Sequence, residues 1–249
     1  MENLFSMNEK VCLVTGGSSG LGSYMAHGFL VAGASRVYIT ARSYEKLSAK
    51  ADELSSLGKG ECIPISGDLS SLEGISSLAS EIKEREPYID VLVNNAGLGL
   101  ATSIDSLEAE DWDRVMDINA RSPLFLTQAL LPFLKKGKGC IINISDTLAP
   151  SGIKNFSLYS GAKSALEGIT KSLAKELAPD IRVNAISPGA ILWPEDEDLS
   201  EDQQKQRLTK VPLGRIGCPE DISSLAVFLS EAEYITGQVI KVDGGRSIN

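Results

Sequence analysis

Seven short runs rich in valine and isoleucine alternate with longer helical stretches along the whole chain, and that alternation leaves few folds open. The runs span 11–15, 36–40, 61–66, 90–94, 140–145, 181–187 and 238–242. Between them, residues 21–32, 44–57, 71–86, 112–134, 158–177 and 219–229 read as helices. The runs show little polar alternation, as expected of strands covered on both faces. The pattern predicts an α/β fold: a Rossmann-type, doubly wound parallel sheet of seven strands with helices on both faces. Pro179 follows the fifth helix, and Pro219 opens the sixth, where its fixed φ suits a first turn. No linker, repeat or low-complexity segment breaks the period, so residues 1–249 read as one domain.

Composition narrows the classes of partner. A formal charge of −9 argues against nucleic acid, whose phosphates need a basic surface. No apolar run approaches the ~18 residues of a membrane span, and the N-terminus lacks a basic-then-apolar signal. The expectation is a cytoplasmic protein with a small-molecule substrate. Cys12, Cys62, Cys140 and Cys218 are scattered without paired spacing, which disfavours a disulfide framework. His27 is the single histidine, so neither a His-based triad nor a His-rich metal site can be assembled, and no metal is expected. The one irregular stretch is 193–207, where Glu195, Asp196, Glu197, Asp198, Glu201 and Asp202 crowd together. A polar loop of that length is either a functional lid or a solvated acidic segment.

Thr15-Gly16-Gly17-Ser18-Ser19-Gly20-Leu21-Gly22 closes the first strand and opens the first helix. Glycines there let the backbone turn tightly and approach a pyrophosphate, whose charge the helix N-terminus stabilises. The second strand selects the cofactor. NAD sites place a carboxylate at its C-terminal end to bind the ribose hydroxyls. Here that end reads Thr40-Ala41-Arg42-Ser43. Arg42 can pair with a 2′-phosphate, so NADP(H) is the expected cofactor.

Tyr159 and Lys163 are four residues apart in a helical stretch and so share a face. A tyrosine has a reference pKa of about 10. A neighbouring ammonium favours the phenolate and lowers that value, which would suit a general acid or base near neutral pH. Taken alone, such a spacing is weak evidence and more often only surface chemistry.

With the glycine loop, Asp90-Val91-Leu92-Val93-Asn94-Asn95-Ala96-Gly97, the Tyr159/Lys163 pair and Ile186-Ser187-Pro188-Gly189 all in order, the chain resembles the short-chain dehydrogenase/reductase family. The resemblance covers essentially the full length and implies a homotetramer. It implies that Gly16, Ser18, Gly20, Leu21 and Gly22 hold the pyrophosphate, that Asp68 and Leu69 flank the adenine, and that Asn95, Ala96 and Gly97 line the ribose region. It implies that Tyr159 transfers the proton, that Lys163 binds the nicotinamide ribose, and that Asn119 holds a proton-relay water. Pro188, Gly189 and Ile191 would contact the nicotinamide.

One departure bears on the substrate. Most members of the family carry a serine where Asp146 stands, and that serine donates to a substrate carbonyl. An ionised carboxylate only accepts, and it would repel the alkoxide formed in ketone reduction. Ser145 is badly placed to substitute, because adjacent strand residues point to opposite faces. An aspartate here is similar to the pteridine reductases, which reduce C=N bonds of biopterin- and folate-type rings. The segments 190–195 and 242–247 look like the bacterial enzymes of that type, with Trp193 offering a flat apolar surface to the substrate or simply packing. The N-terminal half, with Ser18-Ser19 and Gly97-Leu98-Gly99-Leu100, looks more like 3-oxoacyl and ketone reductases. The leading expectation is therefore reduction of a pteridine or dihydrofolate-type C=N bond, with C=O reduction as the alternative. A cofactor-binding protein without catalysis is a minor third reading, against which the intact Asn119, Tyr159 and Lys163 count.

Overall fold

The computed structural model describes residues 5–191, 200, 206 and 208–248. Its centre is a seven-stranded sheet: β1 (Val11–Thr15), β2 (Arg36–Ala41), β3 (Glu61–Ser66), β4 (Val91–Asn94), β5 (Cys140–Ile144), β6 (Arg182–Pro188) and β7 (Val239–Val242). The order is β3-β2-β1-β4-β5-β6-β7, and every paired neighbour is parallel. Side chains alternate across β1 with a period of two. Cys12 and Val14 enter one core, while Val11 and Leu13 enter the other. Both faces are thus buried, which is why the strands read as apolar runs rather than alternating ones.

Helices α1 (Gly20–Val31), α2 (Tyr44–Leu57) and α7 (Pro219–Glu231) close the first face through Phe29, Leu47, Ile222 and Leu229. The second is closed by α3 (Leu72–Arg85), α5 (Ser122–Lys136) and α6 (Ser157–Leu177) through Leu78, Ile82, Leu130 and Ala174. Local signals set the ends: the Ser71 hydroxyl accepts from the Gly74 N–H at 3.0 Å to start α3. Among the described residues, no helix is long and apolar enough to cross a membrane.

The helix expected over 112–134 is corrected by the structure. It begins earlier, as α4 (Ala109–Met116), where Glu108 and Asp111 form a capping box. It is then interrupted by a π turn, Asp117–Arg121, before α5 begins. Pro123 is the physical reason available in the sequence. With no N–H to give, it cannot partner the Asn119 carbonyl four residues earlier. Such single-turn π segments concentrate at functional sites.

The strand order reverses between β1 and β4, and in open parallel sheets the crevice beyond the strand ends at that point takes the ligand.

Candidate active site

Two turns meet at the crevice. The Asn95 amide donates to the carbonyls of Thr15 and Gly16 at 2.8 and 3.2 Å. In return, the Thr15 hydroxyl accepts from the N–H groups of Asn95 and Ala96, each at 3.0 Å. These four bonds clamp the glycine loop to the segment after β4. A Cβ on Gly22 would lie 2.2 Å from the Gly16 carbonyl oxygen, and one on Gly17 would lie 2.6 Å from Cβ of Ile39. Gly16 and Gly20 have φ of +66° and +54°, and Gly20 faces open space. The loop is therefore bare backbone leading into the N-terminus of α1, the arrangement a pyrophosphate needs.

Beside it runs a groove of about 670 Å³ lined by Gly16, Ser18, Arg42, Asp68, Leu69, Asn95, Ala96 and Gly97. Arg42 and Asp68 share this end. Hydrogen bonds from Ser70, with the Arg42 charge adding to them, hold the Asp68 carboxyl below its usual range. The donor set fits a phosphorylated dinucleotide: exposed backbone for the bridging phosphates and a guanidinium at the far end. Ser19, Thr40 and Arg114 also line the groove and were not anticipated. Arg114 comes from α4, and no sequence spacing linked that helix to the cofactor end.

A smaller pocket of about 320 Å³ continues the groove through Asn95, Gly97 and Leu98. It brings together Leu21, Asn119, Asp146, Tyr159, Lys163, Pro188 and Gly189. Three consecutive residues around the end of β5 hold α6 in place. The Asn143 amide donates to the Thr170 hydroxyl at 2.8 Å, the Lys163 ammonium donates to the Ile144 carbonyl at 2.7 Å, and the Ser145 hydroxyl donates to Glu167 at 2.8 Å. The Ser145 hydroxyl is thus engaged by α6 rather than by the Tyr159 hydroxyl. Both ends of the Asn119 side chain are engaged: its amide donates to the carbonyls of Leu98 and Val115, each at 2.9 Å, and its oxygen accepts from the Leu98 N–H. Gly97 is squeezed between Asn119 and Lys163, where a Cβ would lie 2.9 and 3.3 Å from their polar ends.

The Tyr159 hydroxyl donates to Oδ2 of Asp146 at 3.1 Å, while the Leu148 N–H donates to Oδ1 at 2.7 Å. Lys163 stands over the tyrosine ring, its nitrogen 5.8 Å from the centroid. The expectation that the ammonium depresses the tyrosine is corrected here. Burial, followed by the Asp146 charge and hydrogen bond, pushes the Tyr159 pKa well above its ordinary value. Burial brings Lys163 down to about 8, against an opposing pull from Asp146. The carboxylate sits on the hydroxyl, while the cation stands over the ring.

One expected contact falls elsewhere. Ile191 is buried and lines a neighbouring cavity of about 500 Å³ with Gly217 and Asp243, rather than the pocket around Tyr159. Trp193 lies outside the described residues.

A family model described as enoyl-(acyl carrier protein) reductase matches residues 16–247. The 3-oxoacyl-(acyl-carrier-protein) reductase FabG of Thermotoga maritima is 36% identical over 240 residues, covering 95% of this chain and 97% of its own. The 2-dehydro-3-deoxy-D-gluconate 5-dehydrogenase of Escherichia coli is 36% identical over 248 residues, covering 97% and 96%. Among solved structures, the Pseudomonas aeruginosa RhlG/NADP active-site complex superposes with a TM-score of 0.92 at 35% identity, covering 99% of this chain and 100% of that one.

Proposed function

Because the chain belongs to the short-chain dehydrogenase/reductase family, we propose that it is an NADP(H)-dependent oxidoreductase acting on a carbonyl carbon, a ketone of the 3-oxoacyl or keto-acid kind. The observation that carries this reading is the meeting of Tyr159, Lys163 and Asn119 in one pocket that opens into the glycine-loop groove. The reductase of Thermotoga maritima and the dehydrogenase of Escherichia coli are named for C=O substrates or their alcohols, so the C=N reading drawn from Asp146 gains no support from them.

NADPH, when bound, supplies the hydride. Gly16, Ser18, Gly20, Leu21 and Gly22 hold its pyrophosphate, Asp68 and Leu69 flank the adenine, and Arg42 takes the 2′-phosphate. Asn95, Ala96 and Gly97 line the ribose region, and Pro188 and Gly189 the nicotinamide side. Lys163 binds the nicotinamide ribose with an ammonium already fixed by the Ile144 carbonyl. Tyr159 gives its hydroxyl proton to the carbonyl oxygen. That proton points at Asp146, and rotation about the phenolic C–O bond turns it to the substrate. Asn119 holds the relay water at its carbonyl, since its side chain is spent on Leu98 and Val115. A homotetramer built from one domain of residues 1–249 completes the reading.

Asp146 is the specific observation favouring a second reading, C=N reduction, and Asp146→Ser separates the two. A serine hydroxyl can donate to a carbonyl, so the variant is expected to keep ketone turnover at neutral pH within about tenfold of the parent. A rise of about 100-fold or more from near-background ketone turnover, the scale of a direct acid–base role, would favour the C=N reading. The pH profile supplies a signed check. Asp146 raises both Tyr159 and Lys163, so its removal lowers both. Reduction needs their protons, and the basic limb of kcat/KM therefore moves to lower pH in Asp146→Ser.

A further inference from the structure

A side-chain hydrogen bond joins the segment that follows β5 to the C-terminal turn, 96 residues away. The Thr147 hydroxyl donates to Oδ2 of Asp243 at 2.8 Å. Thr147 is buried, adjoins Asp146, and its N–H donates to the Pro188 carbonyl at 3.1 Å. Asp243 also accepts from the Ser247 N–H on Oδ2 and the Gly245 N–H on Oδ1, each at 2.9 Å. The turn so closed runs through Gly244 and Gly245, with φ of +62° and +87°. Asp243 presses on the end of β6 as well: a Cβ on Gly189 would lie 2.6 Å from its Cα and Cβ. The ends of β5, β6 and β7 are thus fastened together at one carboxylate. Burial works against the charge, but the bonds from Ser247, Thr147 and Gly245 hold the carboxyl below its usual range, so they are charge-assisted.

We propose that Asp243, acting through the Thr147 hydroxyl, is a positioning residue that fixes the 146–148 segment and so keeps the Asp146 carboxylate on the Tyr159 hydroxyl. The inference rests on Tyr159 being the proton donor. Asp146 lies beyond β5, where the sheet no longer holds its side chain. Its own anchor, the Leu148 N–H, belongs to the same short segment, and the Asp243 carboxylate adds a side-chain tie to the backbone bond between the Thr147 N–H and the Pro188 carbonyl. A displacement of about 1 Å in a catalytic array can cost up to about 100-fold in rate.

Thr147→Val keeps the volume and removes the donor; Thr147→Ser keeps the donor. Thr147→Val is expected to lower kcat about tenfold with KM for NADPH unchanged, and Thr147→Ser to restore it. The second readout needs no substrate: the ultraviolet titration of the Tyr159 phenolate, taken as the difference from Tyr159→Phe. Among the described residues, Asp146 from the segment after β5 and Lys163 from α6 are the ionisable groups lining the pocket with Tyr159. Loss of the Asp146 contact is therefore expected to shift that titration to lower pH in Thr147→Val and not in Thr147→Ser. Should Thr147→Val not fold, Asp243→Asn, which keeps the size and one acceptor oxygen, is expected to give the same downward shift. Parental kcat and titration in Thr147→Val, or a lowered Tm with both unchanged, would overturn the proposal. A titration shift in an enzyme that turns over no ketone would leave the clasp standing and remove only the substrate assignment.

Discussion

Replacing Tyr159 by phenylalanine is expected to lower kcat/KM for ketone reduction by about 10²–10⁴-fold, the range of a positioned general acid, with NADPH affinity unchanged. The substitution removes one oxygen. The ring keeps its edge contact with Phe156, at 6.2 Å between centroids, and its place under the Lys163 ammonium. Lys163 keeps its bond to the Ile144 carbonyl, and Asp146 keeps the Leu148 N–H. Only the proton aimed between Asp146 and the substrate is lost. Steady-state kinetics with a fluorescence titration of NADPH separate the two terms. A variant within tenfold of the parent in kcat/KM would take proton transfer away from this residue.

Arg42→Ala is expected to narrow the preference for NADPH over NADH by about 10- to 100-fold. A hydrogen bond to a charged group contributes about 1.5–3 kcal/mol, and about 1.4 kcal/mol corresponds to tenfold in affinity. Arg42 is exposed, so screening brings the effect towards the lower end. A second term acts in the same direction. Arg42 helps stabilise the charge on Asp68 at the same end of the groove. Without the guanidinium, that carboxylate faces the 2′-phosphate unopposed, whereas it can accept from the ribose hydroxyls of NADH. The preference should also fall with ionic strength in the parent and hardly at all in the variant. Measured Kd values for both cofactors at two salt concentrations decide it, and an unchanged ratio would place the selectivity elsewhere.

The fold was legible because the central strands are buried on both faces, so Val11–Thr15 or Cys140–Ile144 carries its signal locally. The broken helix was less so. Trp112 through Leu134 has helical periodicity, and the π turn follows from a backbone donor that Pro123 lacks rather than from any change in apolar pattern. The site divides in the same way. The glycine loop and the Tyr159/Lys163 pair are local in sequence, and the structure brings them together. The protonation chemistry of Tyr159 is not local, since burial and then Asp146, which arrives from another element, raise the hydroxyl rather than lower it. Ile191 follows Pro188 and Gly189 by two or three positions, yet the turn directs it to the neighbouring cavity. Thr147 and Asp243 carried no signal at all, because their relation exists only once the segment after β5 and the end of β7 both meet Pro188.

A single assay separates carbonyl from imine chemistry: NADPH oxidation by the unmodified enzyme, with a 3-oxoacyl thioester and with dihydrobiopterin in parallel. Carbonyl reduction predicts saturable turnover of the thioester and only background oxidation with the pterin. Saturable turnover of dihydrobiopterin with none of the thioester would contradict it, and would make Asp146 the residue that defines the substrate.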